Sequence, residues 1–557
     1  MVPPMETRRF AIGARPYLRA RLSAALLAVA LTACATAGRA GDPAEDGGAT
    51  LEDAGVVEEF DAGAPREDAG PPALDGGPPP QDGGARDAGP PDAGRDDRTW
   101  PAPVFTVRAP SDLQEPTLGV NAYFSPTEDT RGVVTRQLDT ARNKLRVAMF
   151  SIGDASISRK LMAMRQAGID IHILWDKTQS ESGASDDNYR VLEDAGIRLT
   201  KIGFDGGAAF ASMHDKFAVL DDARVMTGSH NWSLTGFTQN YEHLLTLEGA
   251  PYAALYNTAW QAIAAGRSAS TPYAPDAGFN VQFGAADRPS ELVLRRIQQA
   301  RRSIYVAMFD LSYVPLVEAL IAARARGVRV VLVMDRNMAV DTSLDEVLEC
   351  GGRYVDGGAV CTDGGLGSPV VRANAGGGIF VKMHQKYSVY DEEWVIAGSY
   401  NWTNLATFYN HENVVELRSP RMAQRFLGNF LDLLRQFDPA FTNPGTPPAR
   451  YGFTPGNVAV TFEVKEPRLR VGDVLYFALD PQTEGTGGAR AMTRRSDGFW
   501  EVTLTLPAGR VVEYKFLVKD AFGQLHWEGG PKHFYTPVFD MAAQRWSDDF
   551  RLPPEGP

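Results

Sequence analysis

Two segments of the sequence carry the same polar residue types at the same spacing. One set is His214, Lys216, Asp221, Ser229 and Asn231, and the other is His384, Lys386, Asp391, Ser399 and Asn401. An imidazole can attack or transfer a proton, an ammonium group offsets negative charge, and hydroxyl and amide groups donate hydrogen bonds. A phosphodiester is an anion, so a nucleophile needs such groups to reach its phosphorus. The pattern therefore predicts displacement at phosphorus, with one imidazole attacking and the other protonating the leaving oxygen.

The spacing within each set indicates how the chain presents these side chains. The histidine and lysine lie two residues apart, which places them on one face of a β-strand. Gly228 and Gly398 let the end of the next strand approach closely, so the serine and asparagine that follow are predicted to bind the phosphate. Two later glutamates, Glu242 and Glu412, are expected to hydrogen-bond the imidazoles and fix their tautomers.

The elements around the two sets repeat as well. Asp176 recurs 159 residues later as Asp335, and His214 recurs 170 residues later as His384. The order strand, helix, strand is predicted at 146–152, 157–166 and 168–177, and again at 304–310, 314–325 and 327–336. Short connections between such elements indicate parallel βαβ units. Duplicated core strands with incidental polar residues would also repeat, but a full set of residue types kept in register twice favours a working site.

The pattern resembles the two His-Lys-Asp motifs of the phospholipase D superfamily, and the similarity extends over residues 121–440. The resemblance implies two tandem α/β/α halves, here 106–275 and 276–445, that form a pseudo-dimer with both motifs in one cleft. One chain then completes the site as a catalytic monomer. It also implies that His214 is the nucleophile, forming a phosphohistidine, and that His384 is the general acid and base; the reverse assignment stays open. No cofactor is implied, and two lysines without clustered carboxylates argue against a metal.

Two further groups near the motifs have an expected role. Asp221 and Asp391 complete the catalytic signature of the superfamily, but we expect them to support the strands and the lysines rather than to act directly. Several aromatic residues can line an acyl or head-group pocket or simply pack in the core, namely Phe210, Trp232, Tyr400, Trp402 and Phe408.

The sequence leaves the substrate open within phosphodiester chemistry. The net charge is −13, but residues 41–100 hold 16 Asp and Glu against 4 Arg, so the rest of the chain is only mildly acidic. The folded part of the chain has no excess of positive charge, and a membrane tether is predicted at the amino terminus. Both features favour a phospholipid substrate, hydrolysed at its head-group phosphodiester. Phosphatidyl transfer of the cardiolipin synthase type is one alternative, and a metal-independent endonuclease is another. Nucleic acid is the less favoured partner, because a nuclease needs a Lys/Arg-rich strip along its cleft. A surface glycan-binding protein with a relict site is the alternative of another class.

The amino terminus predicts export. An Arg-rich start and the apolar stretch 22–31 end at Leu-Thr-Ala-Cys, which is typical of a lipoprotein signal peptide over 1–33 with Cys34 as the acylated residue. A plain signal peptide is the alternative. Residues 34–105 repeat Asp, Ala, Gly and Pro and are expected to form a disordered linker. The protein is thus expected to be a bacterial lipoprotein at the outer membrane, the cell surface or in the periplasm.

In such a compartment Cys350 and Cys361 are expected to form a disulfide, with two free thiols as the alternative.

The carboxy-terminal segment 446–557 changes to alternating strands and predicts a small β-sandwich. Residues 506–537 resemble a family-20 type starch-binding module, and the resemblance implies that Trp527 and Lys515 contact a starch-like glycan. The match is incomplete, because Lys532-His533 stands where such modules have Asn-Arg and the upstream Leu-Gly-x-Trp segment is absent. A structural or docking sandwich is the alternative.

Overall fold

A computed structural model describes the larger part of the chain after the predicted linker. The described residues are 119–203, 211–274, 278–340, 348–350, 353–355, 358–360, 370–376, 381–441, 451, 453, 456–465, 469, 471–480, 488–529, 532–539 and 543–548. All of them belong to one compact unit of the chain, 56–557. The predicted signal peptide, Cys34 and the predicted linker lie outside the described residues, so those predictions stay open.

In the described residues of the first half, seven strands form one mixed sheet. They are β1 (Val120–Ser125), β2 (Lys144–Met149), β3 (Asp170–Asp176), β4 (Arg198–Ile202), β5 (Lys216–Leu220), β6 (Arg224–Gly228) and β7 (Glu242–Glu248). The order across the sheet is β1-β7-β6-β5-β2-β3-β4. Strands β2, β3 and β4 are parallel, whereas β5 is antiparallel to β2. The predicted parallel βαβ unit is confirmed, and the strand that begins at Lys216 lies at the centre of the sheet.

The second half repeats this sheet. Its described strands are β8 (Phe279–Phe283), β9 (Ser303–Met308), β10 (Arg329–Asp335), β13 (Val370–Ala373), β14 (Lys386–Tyr390), β15 (Trp394–Gly398) and β16 (Asn413–Arg418). Their order is β8-β16-β15-β14-β9-β10-β13, which is the order of the first sheet strand for strand. A separate hairpin of β11 (Arg353–Val355) and β12 (Gly358–Val360) lies in the segment that makes the second copy longer. The two tandem α/β halves are thus confirmed.

Helices cover these sheets. In the described part of the chain they are α1 (Thr130–Thr140), α2 (Ala155–Gln166), α3 (Lys177–Ser180), α4 (Gly183–Asp194), α5 (Leu234–Thr238), α6 (Ala250–Ala264), α7 (Gly284–Asp287), α8 (Pro289–Gln299), α9 (Val314–Ala325), α10 (Arg336–Val340), α11 (Asn404–Phe408) and α12 (Pro420–Phe437). Asp154 begins α2 by accepting the backbone N–H groups of Ser156 and Ile157, the usual role of an N-cap carboxylate. None of the described helices is both long and apolar enough to cross a bilayer.

The carboxy-terminal module consists of strands in two sheets. They are β17 (Asn457–Lys465), β18 (Val474–Leu479), β19 (Arg490–Ala491), β20 (Thr493–Arg494), β21 (Phe499–Pro507), β22 (Val512–Lys519), β23 (Leu525–Trp527), β24 (His533–Tyr535) and β25 (Ala543–Asp548). Within the described ranges one sheet has the order β20-β21-β17-β25 and the other β19-β18-β22-β23, with β24 also paired to β22. The predicted β-sandwich is confirmed.

Helix α12 lies where the three parts of the molecule meet. Ser419 caps its first turn, and apolar residues occur on most of its circumference and are buried. The helix contacts β1 of the first half, several strands of the second half and β24 of the module. Side chains of all three parts therefore belong to one continuous apolar cluster. Such burial is the main source of stability in a domain, so the three parts are expected to stabilise one another.

Candidate active site

The two motif segments meet at the boundary between the halves, in a region we call the seam (residues 212–214, 240–242, 382–384 and 410–412). Backbone hydrogen bonds cross it at short range: the N–H of His214 donates to the carbonyl of His411 at 2.9 Å, and the N–H of Tyr241 donates to that of Lys382 at 3.0 Å. These main-chain hydrogen bonds fix the position of each histidine relative to the opposite half.

Each motif imidazole is held by a carboxylate of the opposite half. His214 Nδ1 lies 2.9 Å from both carboxylate oxygens of Glu412, and His384 Nδ1 lies 2.8 Å from both of Glu242. All four side chains are buried. Because a carboxylate accepts, each Nδ1 carries the proton and the lone pair of the neutral ring lies on Nε2. The expected glutamate–imidazole bonds are present, with the partners exchanged between the halves.

The electrostatics of these pairs follow from burial and from the facing charge. Burial by itself would raise the pKa of Glu242, but the electrostatic influence and hydrogen bond of the His384 ring lower that pKa to about 2. Glu242 is thus an anion at any pH at which the protein is expected to work. A fixed anion behind each ring stabilises positive charge on the imidazole.

The serines of the motifs position these glutamates. The Ser229 hydroxyl donates to Glu242 at 2.7 Å and accepts the N–H of His243 at 2.9 Å. The Ser399 hydroxyl donates to Glu412 at 2.5 Å in the same way. A hydroxyl has one proton, and here a carboxylate receives it. The two serines thus orient the glutamates, and their predicted contact with a phosphate stays a prediction.

Asn240 and Asn410 hold the seam together beside the glutamates. The amide nitrogen of Asn410 donates to Glu412 at 3.1 Å, and its Oδ1 accepts the N–H of Ser212 from the other half at 3.0 Å. Asn240 Oδ1 accepts the N–H of Lys382 at 3.0 Å. Both asparagines occur in register in the sequence, two residues before each glutamate, so the repeat was the available signal for them.

Two buried lysines flank the imidazoles. Lys216 Nζ donates to the carbonyl of His214 at 2.8 Å, and Lys386 Nζ donates to that of His384 at 3.1 Å. Each ammonium lies 4.8 Å from the centre of a phenylalanine ring, Phe150 or Phe309. The edges of the same rings contact the histidines, at 4.9 and 4.8 Å between ring centres. The arrangement places a cation beside each imidazole, as required for binding a phosphate anion.

The motif asparagines stay candidates for phosphate binding. The Oδ1 atoms of Asn231 and Asn401 are buried and have no hydrogen-bond partner within the described part of the chain. Their contact with a phosphate stays a prediction.

The motif aspartates are separated from the other motif residues. Asp221 follows β5, about 16 Å along the strand from Lys216 at the usual rise per residue. Its carboxylate accepts the N–H groups of Arg142, Asn143 and Lys144, and although partial burial would raise its pKa, these bonds hold it below the ordinary value. Asp391 does the same for residues 301–303. Both aspartates thus support the central strands, as expected from the sequence.

Two aspartates that the sequence marked simply as repeat positions support the motifs. Asp176 accepts the N–H of Met213 at 2.9 Å, and Asp335 accepts that of Met383 at 3.0 Å. Each methionine precedes a catalytic histidine. Strands β3 and β10 therefore fix the backbone that presents the imidazoles, a role that depends on tertiary structure.

The aromatic residues near the motifs divide between core and surface. Trp232, Tyr400 and Trp402 are buried core residues, whereas Phe408 is 45% exposed. Phe210 lies outside the described residues. Cys350 is disulfide-bonded, and its predicted partner Cys361 is outside the described ranges.

In the module, the two predicted glycan-binding residues lie on neighbouring strands. Trp527 in β23 is partly exposed, and Lys515 in β22 donates to the carbonyl of Glu528 at 3.1 Å. Within the part of the chain that the structure describes, no group of three or more His, Cys, Asp or Glu side chains is arranged to hold a metal ion.

Comparison with known protein families finds one model that matches both halves and another that matches the module. The model described as cardiolipin synthase, PLD-like domain, matches residues 134–263 and 293–434, one stretch in each half. The two halves belong to the phospholipase D superfamily. A second model, the starch binding domain, matches residues 457–545, so the module of this phospholipase D-like protein is a starch-binding type domain.

Individual relatives resemble single parts of the chain. A phospholipase D of Rickettsia bellii is 26% identical over 141 residues, which are 25% of this chain and 67% of that protein. The mitochondrial cardiolipin hydrolase of Mus musculus is 30% identical over 130 residues, 23% of this chain and 56% of that protein. The solved structure of Nuc, a phospholipase D family member from Salmonella typhimurium, is 26% identical, with 26% of this chain and 91% of Nuc covered and a TM-score of 0.24. The match thus spans about two thirds of the first relative and about half of the second.

Proposed function

We propose that the protein is a phosphodiesterase of the phospholipase D type that hydrolyses the head-group phosphodiester of phospholipids through a phosphohistidine. The observation that carries the proposal is the crossed pair of buried contacts, His214 to Glu412 and His384 to Glu242, with a lysine beside each imidazole. This geometry supplies two imidazoles that are each held at Nδ1, so that Nε2 can react, and the positive charge that a phosphate requires.

The reaction that we propose has two balanced steps. Nε2 of His214 forms a bond to phosphorus while the bond from phosphorus to the head-group oxygen breaks, and His384, protonated on both ring nitrogens at the start of the step, gives that oxygen its Nε2 proton. Water then gives a proton to His384, its oxygen bonds to phosphorus, and the nitrogen–phosphorus bond breaks. Lys216 and Lys386 offset the charge that gathers on the phosphate oxygens in both transition states. Glu412 and Glu242 stabilise the cationic form of each ring.

The experiment that tests the proposal offers four substrates to the purified protein in the presence of a chelator. These are vesicles of phosphatidylcholine, vesicles of phosphatidylglycerol, single-stranded DNA and double-stranded DNA. Free head group without DNA cleavage is the expected result, and His214→Ala or His384→Ala should each abolish it. DNA cleavage without head-group release would replace the lipase with a nuclease, and no activity on any substrate would favour the relict-site alternative.

Transfer of the phosphatidyl group is a second candidate, supported by the description of the matching family, cardiolipin synthase. In that case an alcohol replaces water in the second step. Phosphatidyl adducts formed in the presence of glycerol, at the expense of phosphatidic acid, would favour transfer over hydrolysis.

For the module we propose binding of a starch-like glycan, supported by the match to the starch binding domain model. Trp527 offers a partly exposed aromatic face on which a sugar ring can stack, and Lys515 lies on the adjacent strand. Retention on amylose should be lost in Trp527→Ala. Retention that does not change in this variant would remove Trp527 from the site, and no retention of the parent protein would favour a docking role.

We further propose that the protein is an exported lipoprotein anchored through Cys34, supported by the Leu-Thr-Ala-Cys sequence after an apolar stretch. Metabolic labelling with a fatty acid should mark the parent protein and leave Cys34→Ser unlabelled. Equal labelling of both would contradict the anchor.

A further inference from the structure

The two halves of the site differ at one pair of buried positions that directly follow the histidines and the glutamates in the sequence. Asp215, between His214 and Lys216, corresponds to Gln385 in the second copy. Asn413, which follows Glu412, corresponds to His243, which follows Glu242. The repeat thus provides an internal comparison of a charged and an uncharged version of one arrangement.

Asp215 is joined to the opposite half by its side chain. It is fully buried, and its Oδ1 accepts the amide N–H of Asn413 at 2.9 Å. Asn413 is held in turn, because its Oδ1 accepts the hydroxyls of Thr227 at 2.7 Å and Tyr256 at 3.3 Å. Oδ2 of Asp215 has no hydrogen-bond partner among the described residues. The carboxyl group is therefore fixed in place beside the strand that presents Glu412 to His214.

The corresponding pair in the other half is neutral. His243 Nδ1 donates to Gln385 Oε1 at 2.9 Å, and its ring packs against the edges of Tyr387 and Phe426. Burial lowers the pKa of His243 to about 3, so this imidazole is uncharged at neutral pH. The residue next to His384 that is equivalent to Asp215, Gln385, and its partner His243 thus carry no charge.

The groups that face Asp215 come from both halves. Glu412 opposes its ionisation, Lys216 and His214 favour it, and the Asn413 amide and Tyr256 complete its surroundings. Burial is the strongest influence, and with these neighbours it raises the pKa of Asp215 to about 7. Asp215 therefore gains its negative charge within the ordinary range of working pH.

We propose that Asp215 is a positioning residue that places a second negative charge next to His214 and thereby makes His214, rather than His384, the imidazole that carries the phosphoryl group. The inference rests on the proposed function. When the His214 Nε2–phosphorus bond forms and the bond to the leaving oxygen breaks, the ring becomes a cation, while His384 loses its proton to the leaving group. Negative charge near a developing cation lowers the barrier to its formation. His214 has Glu412 at its Nδ1 and Asp215 as the next residue, whereas His384 has Glu242 at its Nδ1 and the neutral Gln385 as the next residue.

The test compares the parent protein with the isosteric variant Asp215→Asn, using bis(p-nitrophenyl) phosphate from pH 5.5 to 8.5. The ratio of kcat between parent and variant should rise from near one at pH 5.5, where Asp215 is itself neutral, to about tenfold at pH 8.5. A residue that acts through packing alone would give the same ratio at every pH. Gln385→Asn is the matched control, because it shortens the mirror residue without changing charge and should alter kcat by one factor throughout.

A paired variant guards against loss of folding. Asp215→Gln with Asn413→His installs the neutral pair that the other half already accommodates, and it should show the same pH-dependent loss. Alkaline quenching followed by peptide mapping should find the phosphoryl group on His214 in the parent protein. A pH-independent ratio in both variants, or the phosphoryl group on His384, would overturn the inference while hydrolysis stands. A parent protein inactive on every phosphodiester would overturn the proposed function, and this inference with it.

Discussion

The reactivity of the two imidazoles depends most directly on Glu242 and Glu412. Each of these glutamates accepts a hydrogen bond from Nδ1 of the histidine in the opposite half. Changing Glu412 to Gln keeps the shape but removes the charge that stabilises the cationic ring. We expect kcat to fall by about 10²–10⁴-fold with little change in KM. Steady-state kinetics measure this, with Glu248→Gln as the control, since Glu248 is exposed at the far end of the same strand as Glu242. Equal loss in both variants would contradict a specific role.

His533 carries a prediction about the stability of the module. The ring is buried between two carboxylates, 2.9 Å from Glu528 and 2.7 Å from Asp548. Burial would lower its pKa, but Asp548 and Glu528 raise the pKa to about 9. This group therefore contributes up to about 3 kcal/mol below pH 6.5, its value in the unfolded chain, and the contribution is lost as the pH rises through 9. Denaturant unfolding at pH 6 and pH 9.5 measures the difference, which should shrink in His533→Gln and persist in the exposed control His526→Gln.

At the scale of elements, the close approach of neighbouring strands at the motif glycines determines where the glutamates lie. A Cβ atom at Gly398 would stand 2.1 Å from the carbonyl oxygen of Asn413, so Ala at this position must push β16 away. We expect Gly398→Ala to cost about 1–3 kcal/mol of unfolding free energy and to lower kcat at least tenfold, because Glu412 immediately precedes β16. Gly168→Ala meets no atom within 4 Å and should affect stability alone. Parallel kinetics and thermal unfolding distinguish the two.

The elements also show what a sequence can and cannot predict. The β-branched runs and their fixed offset predicted the parallel βαβ units, and the need for close approach at Gly228 and Gly398 was correct. The exchange of Glu242 and Glu412 between the halves was not predictable, because a repeat alone does not say which copy a side chain faces. The same holds for the serines, whose hydroxyl protons are directed to carboxylates by the packing of β7 and β16. Strands of two or three residues, such as β19 and β24, are too short to show a periodic pattern.

At the scale of the whole molecule, helix α12 joins the module to the catalytic halves. Gln424 accepts the N–H of Thr536 at 2.9 Å, Arg425 lies 4.2 Å from the centre of the Phe534 ring, and Phe453 stacks on Phe539 at 4.2 Å. Phe453 also lies 6.3 Å, between ring centres, from Tyr305 of the second half. Because such contacts join the module and the halves in one apolar cluster, we expect calorimetry of the intact protein to show a single cooperative unfolding transition. Phe453→Ala should lower the temperature of that transition without dividing it. Two separate transitions in the parent protein would mean that the module is an independent unit.

The crossed glutamates have a consequence for how this protein can fail. Neither half supplies the carboxylate that holds its own histidine. A slight separation of the two halves therefore breaks both histidine–glutamate contacts at once, and no state with one intact contact remains. Turnover is then a sensitive measure of how closely the two halves pack against each other. We expect low concentrations of urea to abolish turnover before far-ultraviolet circular dichroism shows any loss of secondary structure.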